Sequence, residues 1–424
     1  MFKRIAGLFM IVVGLGLAAP ALAQDMAGAP IRIGLILPAV PAAKDDLRAP
    51  IATAAEQGAV MAEEEFTLNA SMFDLDFAVV TEKADGDDVV KAAERLVNEQ
   101  KVFALAGGFD HEEALALSQW TAAHNVPFLN IGASSDVLRN EQCAATTFHL
   151  APSAAMYLDA LAGWYVRAGF RKWYFVQTDS DEGKAQYDRA MQSISDRHFG
   201  AREAGHTIVA AGAPLPDDAL AEIKKSGADV VVMLVSGADQ LTMLAQMEAA
   251  GIEAAVTGFP FPETQTRAFF EASRQAAPKL GTGMRATEWE PTLDAYGARE
   301  LNARYQARWH EPMESSAWAT YQAVKIFYEA AIFTSSIAPK DVIAYMEAPE
   351  TVFDVWKGIG TSFRLWDRQL RQSLFLVKID EKATDPKLVG QLVGELPAIY
   401  MPGTDPIERL DQLGDLEGQS RCQQ

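Results

Sequence analysis

Positive charge is scarce in this chain. Thirty-seven Lys and Arg stand against 57 Asp and Glu, giving a formal net charge of −20. That balance excludes a general nucleic-acid footprint, which needs clustered positive charge, and adhesion to anionic lipid. Cysteine is scarcer still: Cys143 and Cys422 are the only two, and none follows the small residues near Ala23, so no lipoprotein anchor is indicated. Apolar runs are short as well. Ile5–Leu17 falls below the length of a membrane span, Pro20 breaks the stretch after it, and no later segment is long and apolar enough to cross a bilayer.

Catalytic signatures are missing too. His111-Glu112-Glu113-Ala114-Leu115 opens like a zinc-protease helix, but Leu115 stands at the second His position. Ser134-Ser135 is followed by Asp136, so no nucleophile elbow forms. Neither a phosphate-binding Gly-Lys-Ser/Thr loop nor a dinucleotide fingerprint occurs, since Gly281-Thr-Gly283 has Ala286 at the third glycine position. Asp179-Ser-Asp181-Glu182-Gly183 resembles part of a calcium loop, yet the glycine comes one residue early and position twelve is Ala190. A loop leading into a helix N-terminus is the simpler reading, because carboxylates there favour the dipole. The chain is expected to be a non-enzyme with no cofactor.

The positive features begin with an export signal. Lys3-Arg4, the apolar run and Ala21-Leu-Ala23 before Gln24 read as a cleaved signal peptide over residues 1–23, with an uncleaved anchor as the alternative. The mature chain is therefore expected in the periplasm. In an oxidising compartment Cys143 and Cys422 are expected to form one disulfide; two free thiols are the alternative, and spacing does not decide between them. A chain of 424 residues exceeds one ordinary core, so two domains are expected.

Strands and helices alternate from Ile31 onward, first to about Leu150 and then again from Tyr157, which indicates parallel sheets of the doubly wound kind. Predicted elements include a helix over Ile51–Glu65, a strand over Phe73–Val80, a helix over Ala114–His124 and late strands over Phe353–Leu365 and Ser373–Ile379. Residues 390–424 are rich in Pro, Gly and acidic side chains and are expected to wrap the surface.

Loops fall at the carboxyl ends of predicted strands, where ligands sit in open α/β sheets because loops and helix N-termini offer free N–H groups. They are Pro38–Asp46, Gly107–His111, Gly132–Asp136, Thr178–Glu182, Ser236–Asp239 and Gly258–Phe261. Each alone reads as ordinary turn chemistry. Their shared Gly, Ser, Asp and aromatic content suits a polar ligand. The candidate ligand-binding residues are Pro38, Asp110, His111, Ala133, Ser134, Ser135, Asp181, Glu182, Ser236 and Phe259. Asp110, Ser134 and Ser135 also suit helix N-caps, a role compatible with ligand contact.

Ile31–Pro38, Val102–Gly108, Asn125–Leu129, Gly132–Ser135, Phe148–Ser153, Asp229–Gly251 and Trp318–Lys325 come in the order seen in type I periplasmic binding proteins of the branched-chain amino acid class, which the chain resembles over nearly all its mature length. Met156–Leu161, Arg171–Tyr174, Phe363–Gln372 and Leu396–Pro402 are similar to a narrower group, the ABC-transporter binding proteins associated with PQQ-dependent alcohol dehydrogenase systems.

The resemblance implies two lobes, each a doubly wound parallel sheet, joined by three crossing hinge segments that close on a ligand. It maps lobe 1 to residues 31–150 plus 282–350, lobe 2 to 151–281 plus 351–395, and a tail to 396–424. By the same resemblance Ala133–Ser135 would bind a ligand carboxylate through N–H and hydroxyl groups, and Glu182 replaces an aromatic that packs on the ligand. Phe109, Asp110 and His111 replace small hydroxyl residues. Asp110 and Glu182 would repel a carboxylate unless a cation or ammonium lay between them. The implied partners are a small polar metabolite and a membrane permease. The alternative is a periplasmic sensor or assembly partner of an alcohol dehydrogenase.

Overall fold

The computed structural model describes residues 30–41, 43, 46–385, 388–398 and 403–422. The expected signal peptide lies outside them. Five parallel strands, β1 (Ile31–Leu37), β2 (Phe77–Lys83), β3 (Ala104–Gly107), β4 (Phe128–Asn130) and β5 (Thr147–His149), form a first sheet in the order β2-β1-β3-β4-β5. Ile31, Ile33 and Leu35 are buried, as a central strand covered on both faces requires. The helices α1 (Arg48–Ser71), α2 (Asp88–Asn98) and α3 (His111–His124) connect these strands.

After α4 (Ala154–Arg167) the pattern repeats. Strands β6 (Lys172–Thr178), β7 (Arg202–Val209), β8 (Val230–Leu234) and β9 (Ala255–Gly258) form a second parallel sheet in the order β7-β6-β8-β9. Helices α5 (Asp181–Gln192), α6 (Asp217–Ser226), α7 (Gly237–Ala249) and α8 (Arg267–Ala276) accompany it. β10 (Met284–Thr287) then leads to α9 (Ala298–Trp309), α10 (Ser315–Thr334) and α11 (Pro339–Glu347). α10 returns to the first sheet and packs against α1. β11 (Leu374–Ile379) and β12 (Gly390–Leu396) complete an antiparallel sheet with β10, and α12 (Pro406–Leu410) comes last. The result is a two-lobed α/β fold with a parallel sheet in each lobe.

Three stretches run between the lobes: Leu150–Ser153 into α4, Thr287–Trp289 out of β10, and the segment between α11 and β11. They are knitted together by side chains. Gln369 donates to the carbonyls of His149 (3.2 Å) and Ala151 (3.1 Å), and Gln372 donates to Leu150. Backbone bonds from His149 to Arg368 and from Leu370 to His149, each 2.9 Å, join the first stretch to the third.

Several predicted elements move. α1 runs six residues past Glu65, so Phe73 falls in the exposed turn before β2 rather than inside a strand. α3 begins at His111 because Asp110 is extended and its carboxylate accepts from the Glu113 N–H at 2.9 Å. The expected strand over Phe353–Leu365 is absent. Trp356, Gly358 and Gly360 adopt φ of 58°, 102° and 88°, which turn the chain out of any extended ladder. Conversely, part of the expected tail forms β12, paired with β11.

Candidate functional site

The carboxyl ends of both parallel sheets face each other, and the loops between them enclose two neighbouring cavities. The first, about 610 Å³, is walled by His111, Ser135 and Asp136 from one lobe and by Asp181, Glu182, Gln186 and Arg189 of α5 from the other. Asp415, Gln419 and Arg421 close it from the C-terminal segment. The second, about 510 Å³, is lined by Pro38, Arg48, Phe109 and Asp110 on one side and by Ser236, Gly237 and Glu263 on the other. A hollow of about 730 Å³ also exists at the opposite edge of the second sheet. It is lined by turn residues such as Gly169, Gly227 and Gly251 together with Lys224, Asp229 and Glu253, and the Asp229 carboxylate there already accepts from the N–H groups of Arg171 and Lys172.

Asn130, at the end of β4, shapes the loop after it. Its amide donates to the Ala133 carbonyl at 2.7 Å and accepts from the N–H groups of Gly132 (3.3 Å) and Ala133 (3.0 Å). The Ala133 N–H also donates to Gly108 at 3.0 Å. Ala133 therefore turns its donor into the protein and supports the loop from behind. Among the described residues no hydrogen bond engages the hydroxyls or N–H groups of Ser134 and Ser135. Ser135 lies on the cavity wall. Arg139 holds the loop down by donating to the carbonyls of Ser135 (2.9 Å) and Ala151 (2.6 Å). Burial brings the Arg139 guanidinium down to about 10.

The remaining candidates divide by role. Asp110 and Ser236 are N-caps of α3 and α7 and line the second cavity with Pro38. His111, Asp181 and Glu182 sit in first helical turns at the first cavity. Phe259 lies apart from the other candidates. It is fully buried, with its ring 6.0 Å from Tyr157 and 4.7 Å from Phe261, and it belongs to the core beneath the cleft. It comes directly after β9, and its carbonyl is already taken by Gln240 at 2.9 Å.

The cleft is rich in carboxylates whose charged form the surrounding protein disfavours. Desolvation by the protein around it raises the Glu182 carboxyl above its ordinary range, opposed by His111 and reinforced by Asp110. Burial likewise raises Glu263, which accepts from the Gly237 N–H at 3.2 Å. Burial, with Asp415 nearby, pushes the Asp136 carboxyl up to about 7. Arg48 is the counter-charge of the second cavity, 3.3 Å from Asp85, 3.5 Å from Glu113 and 4.0 Å from Asp110. Among the described residues no group of three or more His, Cys, Asp or Glu could hold a metal ion.

Sequence reasoning missed Arg48, Glu263, Arg189 and the three C-terminal residues. Arg48 and Glu263 adjoin candidate loops, and α5 continues directly from Glu182. For the C-terminal residues the one signal was the expected Cys143–Cys422 disulfide, which brings the end of the chain to the loop after Ser135; nothing periodic marks Asp415, Gln419 and Arg421 themselves.

A model for the periplasmic binding protein family matches residues 30–384. No curated protein matches the chain. Among solved structures, a branched-chain amino acid ABC transporter periplasmic ligand-binding protein from Burkholderia xenovorans LB400 is similar at a TM-score of 0.78 and 15% identity, over 92% of this chain and 99% of that one. An amino acid ABC transporter substrate-binding protein from Pseudomonas fluorescens Pf-5 gives 0.72 and 16%, over 89% and 98%. A solute-binding protein of an ABC transporter from Rhodopseudomonas palustris BisB5, in complex with 3,4-dihydroxybenzoic acid, gives 0.67 and 16%, over 89% and 99%. At these identities the likeness is one of fold.

Proposed function

Because the chain belongs to the periplasmic binding protein family, we propose that it is the solute-binding component of an ABC transporter, capturing a small polar solute between its lobes and delivering it to a membrane permease. The observation that carries this reading is the cleft itself. Loops from the carboxyl edges of two parallel sheets meet there, and Ser135 offers an uncommitted hydroxyl and N–H. The lobes in this reading are residues 31–150 with 282–350, and 151–281 with 351–395, except that β10 (Met284–Thr287), paired with β11, stays with the second.

The solute carries a positive group alongside any carboxylate. Solved neighbours include proteins named for amino acids and one that holds 3,4-dihydroxybenzoic acid. In this chain Asp136, Asp181 and Glu182 share the first cavity, and a bare carboxylate brought among them would meet like charge. An ammonium group relieves that repulsion. The motifs at Phe363–Gln372 and Leu396–Pro402 further support supply of a solute connected with PQQ-dependent alcohol oxidation.

Isothermal titration of the exported protein against amino acids, small amines, aromatic acids, alcohols and quinone-related compounds tests this. One-site saturation by a single chemical class, strongest for members bearing a positive group, is the expected result. Absence of binding across the whole panel overturns it.

A further inference from the structure

The family match stops at residue 384, yet the chain continues and returns to the cleft. We propose that residues 403–422 form a covalent strap, a fourth connection between the lobes that confines opening of the cleft to the face bearing Pro38, Asp110 and Ser236. The inference rests on the reading of the two bodies as lobes that part to admit a solute.

The strap is fixed to the second lobe first. The Gly414 N–H donates to the carboxylate of Asp159, on α4, at 2.9 Å. Asp159 is buried and also receives Arg189 at 2.6 Å and Arg197 at 2.9 Å. Arg197 in turn donates to the Gln412 carbonyl at 3.2 Å and to the Gln419 side chain at 3.0 Å. Residues 412–419 are thus bound to one body by charge-assisted bonds, the strong kind, of which the Gly414–Asp159 bond is buried.

The end of the strap is fixed to the other lobe. The Arg421 N–H donates to Asn140 at 2.9 Å, and Cys422 is joined to Cys143. Both partners lie between β4 and β5 of the first sheet. On either side of the first anchorage the strap also meets the third crossing stretch. Arg364 and Arg371 each donate to Asp411 at 2.9 Å, and Ser420 donates to the Trp366 carbonyl at 2.8 Å.

Only two residue steps separate Gln419, held by the second lobe, from Arg421, held by the first. Two residues reach at most about 7 Å when fully extended. The lobes can therefore move apart only slightly along the edge that the strap crosses. At the first lobe the strap is held by a disulfide, which in an oxidising compartment does not let go during opening, and at the second by the buried Gly414–Asp159 bond, whose carboxylate is itself fixed by Arg189 and Arg197. Opening then pivots about the strapped edge. Asp415, Gln419 and Arg421 stay as a fixed wall of the first cavity, and a solute enters past the second.

Solution scattering and hydrogen exchange on the full exported chain, without added solute, test the strap. Oxidised wild type is compared with C143S/C422S and with reduced wild type, which supplies the answer should the double variant fail to fold. The expected result is a larger radius of gyration in both untethered forms. Roughly tenfold faster exchange at Gly132–Asp136 and the first turns of α5 accompanies it, while β1 and β8 are unchanged. Scattering identical to oxidised wild type overturns the proposal, even if the strap itself exchanges faster. Because no solute is present, this result is independent of the titration. Failure to bind any compound would remove the transport reading and leave the strap standing.

Discussion

Arg139 donates from Nε to the side-chain oxygen of Gln369 at 2.6 Å, which ties the loop bearing Ser134 and Ser135 to the third crossing stretch. The same guanidinium bonds the carbonyls of Ser135 and Ala151, so one buried side chain joins the site to two of the three stretches on which the lobes turn. Arg139→Ala leaves the Ser135 carbonyl and the Gln369 side-chain oxygen buried and without this donor, while Ala151 keeps its bond from Gln369. The expected loss is about 3 kcal/mol or more of unfolding free energy, measured by urea denaturation of the oxidised protein. Arg139→Lys should recover little, since an ammonium lacks the planar fork that reaches several carbonyls at once.

Glu182 separates a charge role from a packing role. Glu182 is an exposed residue on the cleft wall whose carboxyl the surrounding protein raises above its ordinary range. Glu182→Gln keeps the shape and removes the charge. The expected outcome is unchanged or slightly higher thermal stability, together with roughly tenfold weaker binding of any solute that carries a positive group. Titration calorimetry on both proteins checks it; equal affinity would show that Glu182 is not a recognition residue.

The alternation of β and α elements was legible because apolar strands buried on both faces leave continuous runs such as Ile31–Leu37. The loops at strand ends were legible for the same reason. Their division between two cavities was not. His111 and Asp110 are adjacent in sequence, yet one lines the first cavity and the other the second, because Asp110 is the extended cap and His111 the first helical residue. The depth of Phe259 was not legible, because a residue just after a strand can point to the cleft or beneath it, and only the packing of its ring on Tyr157 and Phe261 shows it beneath. Of the C-terminal segment only the Cys143–Cys422 tether was legible, and the rest was opaque for a different reason. Its anchors are single polar contacts to residues far away in sequence, such as Gly414 to Asp159, and these leave no periodic trace.

Glu288 gives the fold a dependence on pH. It is buried where the second stretch leaves β10, and burial raises its carboxyl from 4.5 to about 8, partly offset by Lys357 and Arg139. The folded state therefore binds more protons than the unfolded chain between those values, and stability declines as pH rises through that window. Glu288→Gln cannot ionise. The difference in unfolding free energy between variant and wild type should grow in the variant's favour from pH 5 to pH 8, by about 1.4 kcal/mol for each step of one in pH. Urea titrations at several pH values measure it. A constant difference would mean that the group does not titrate in this range.

Gly58 sets how closely α1 and α10 approach. A Cβ built on it would overlap the Ala317 carbonyl oxygen on α10, and backbone atoms cannot swing aside as a side-chain tip can. Gly58→Ala raises intrinsic helix propensity by about 1 kcal/mol, so propensity alone predicts a more stable protein. Overpacking of this kind costs about 1–3 kcal/mol, and here the clash is with main chain, at the upper end of that range. The expected net outcome is destabilisation, with the two helices forced apart and the packing of Phe66 against Tyr321 and Tyr328 loosened. Calorimetric unfolding measures the sign. The near-ultraviolet circular dichroism of those aromatic rings reports whether the helix pair, rather than a distant site, has moved.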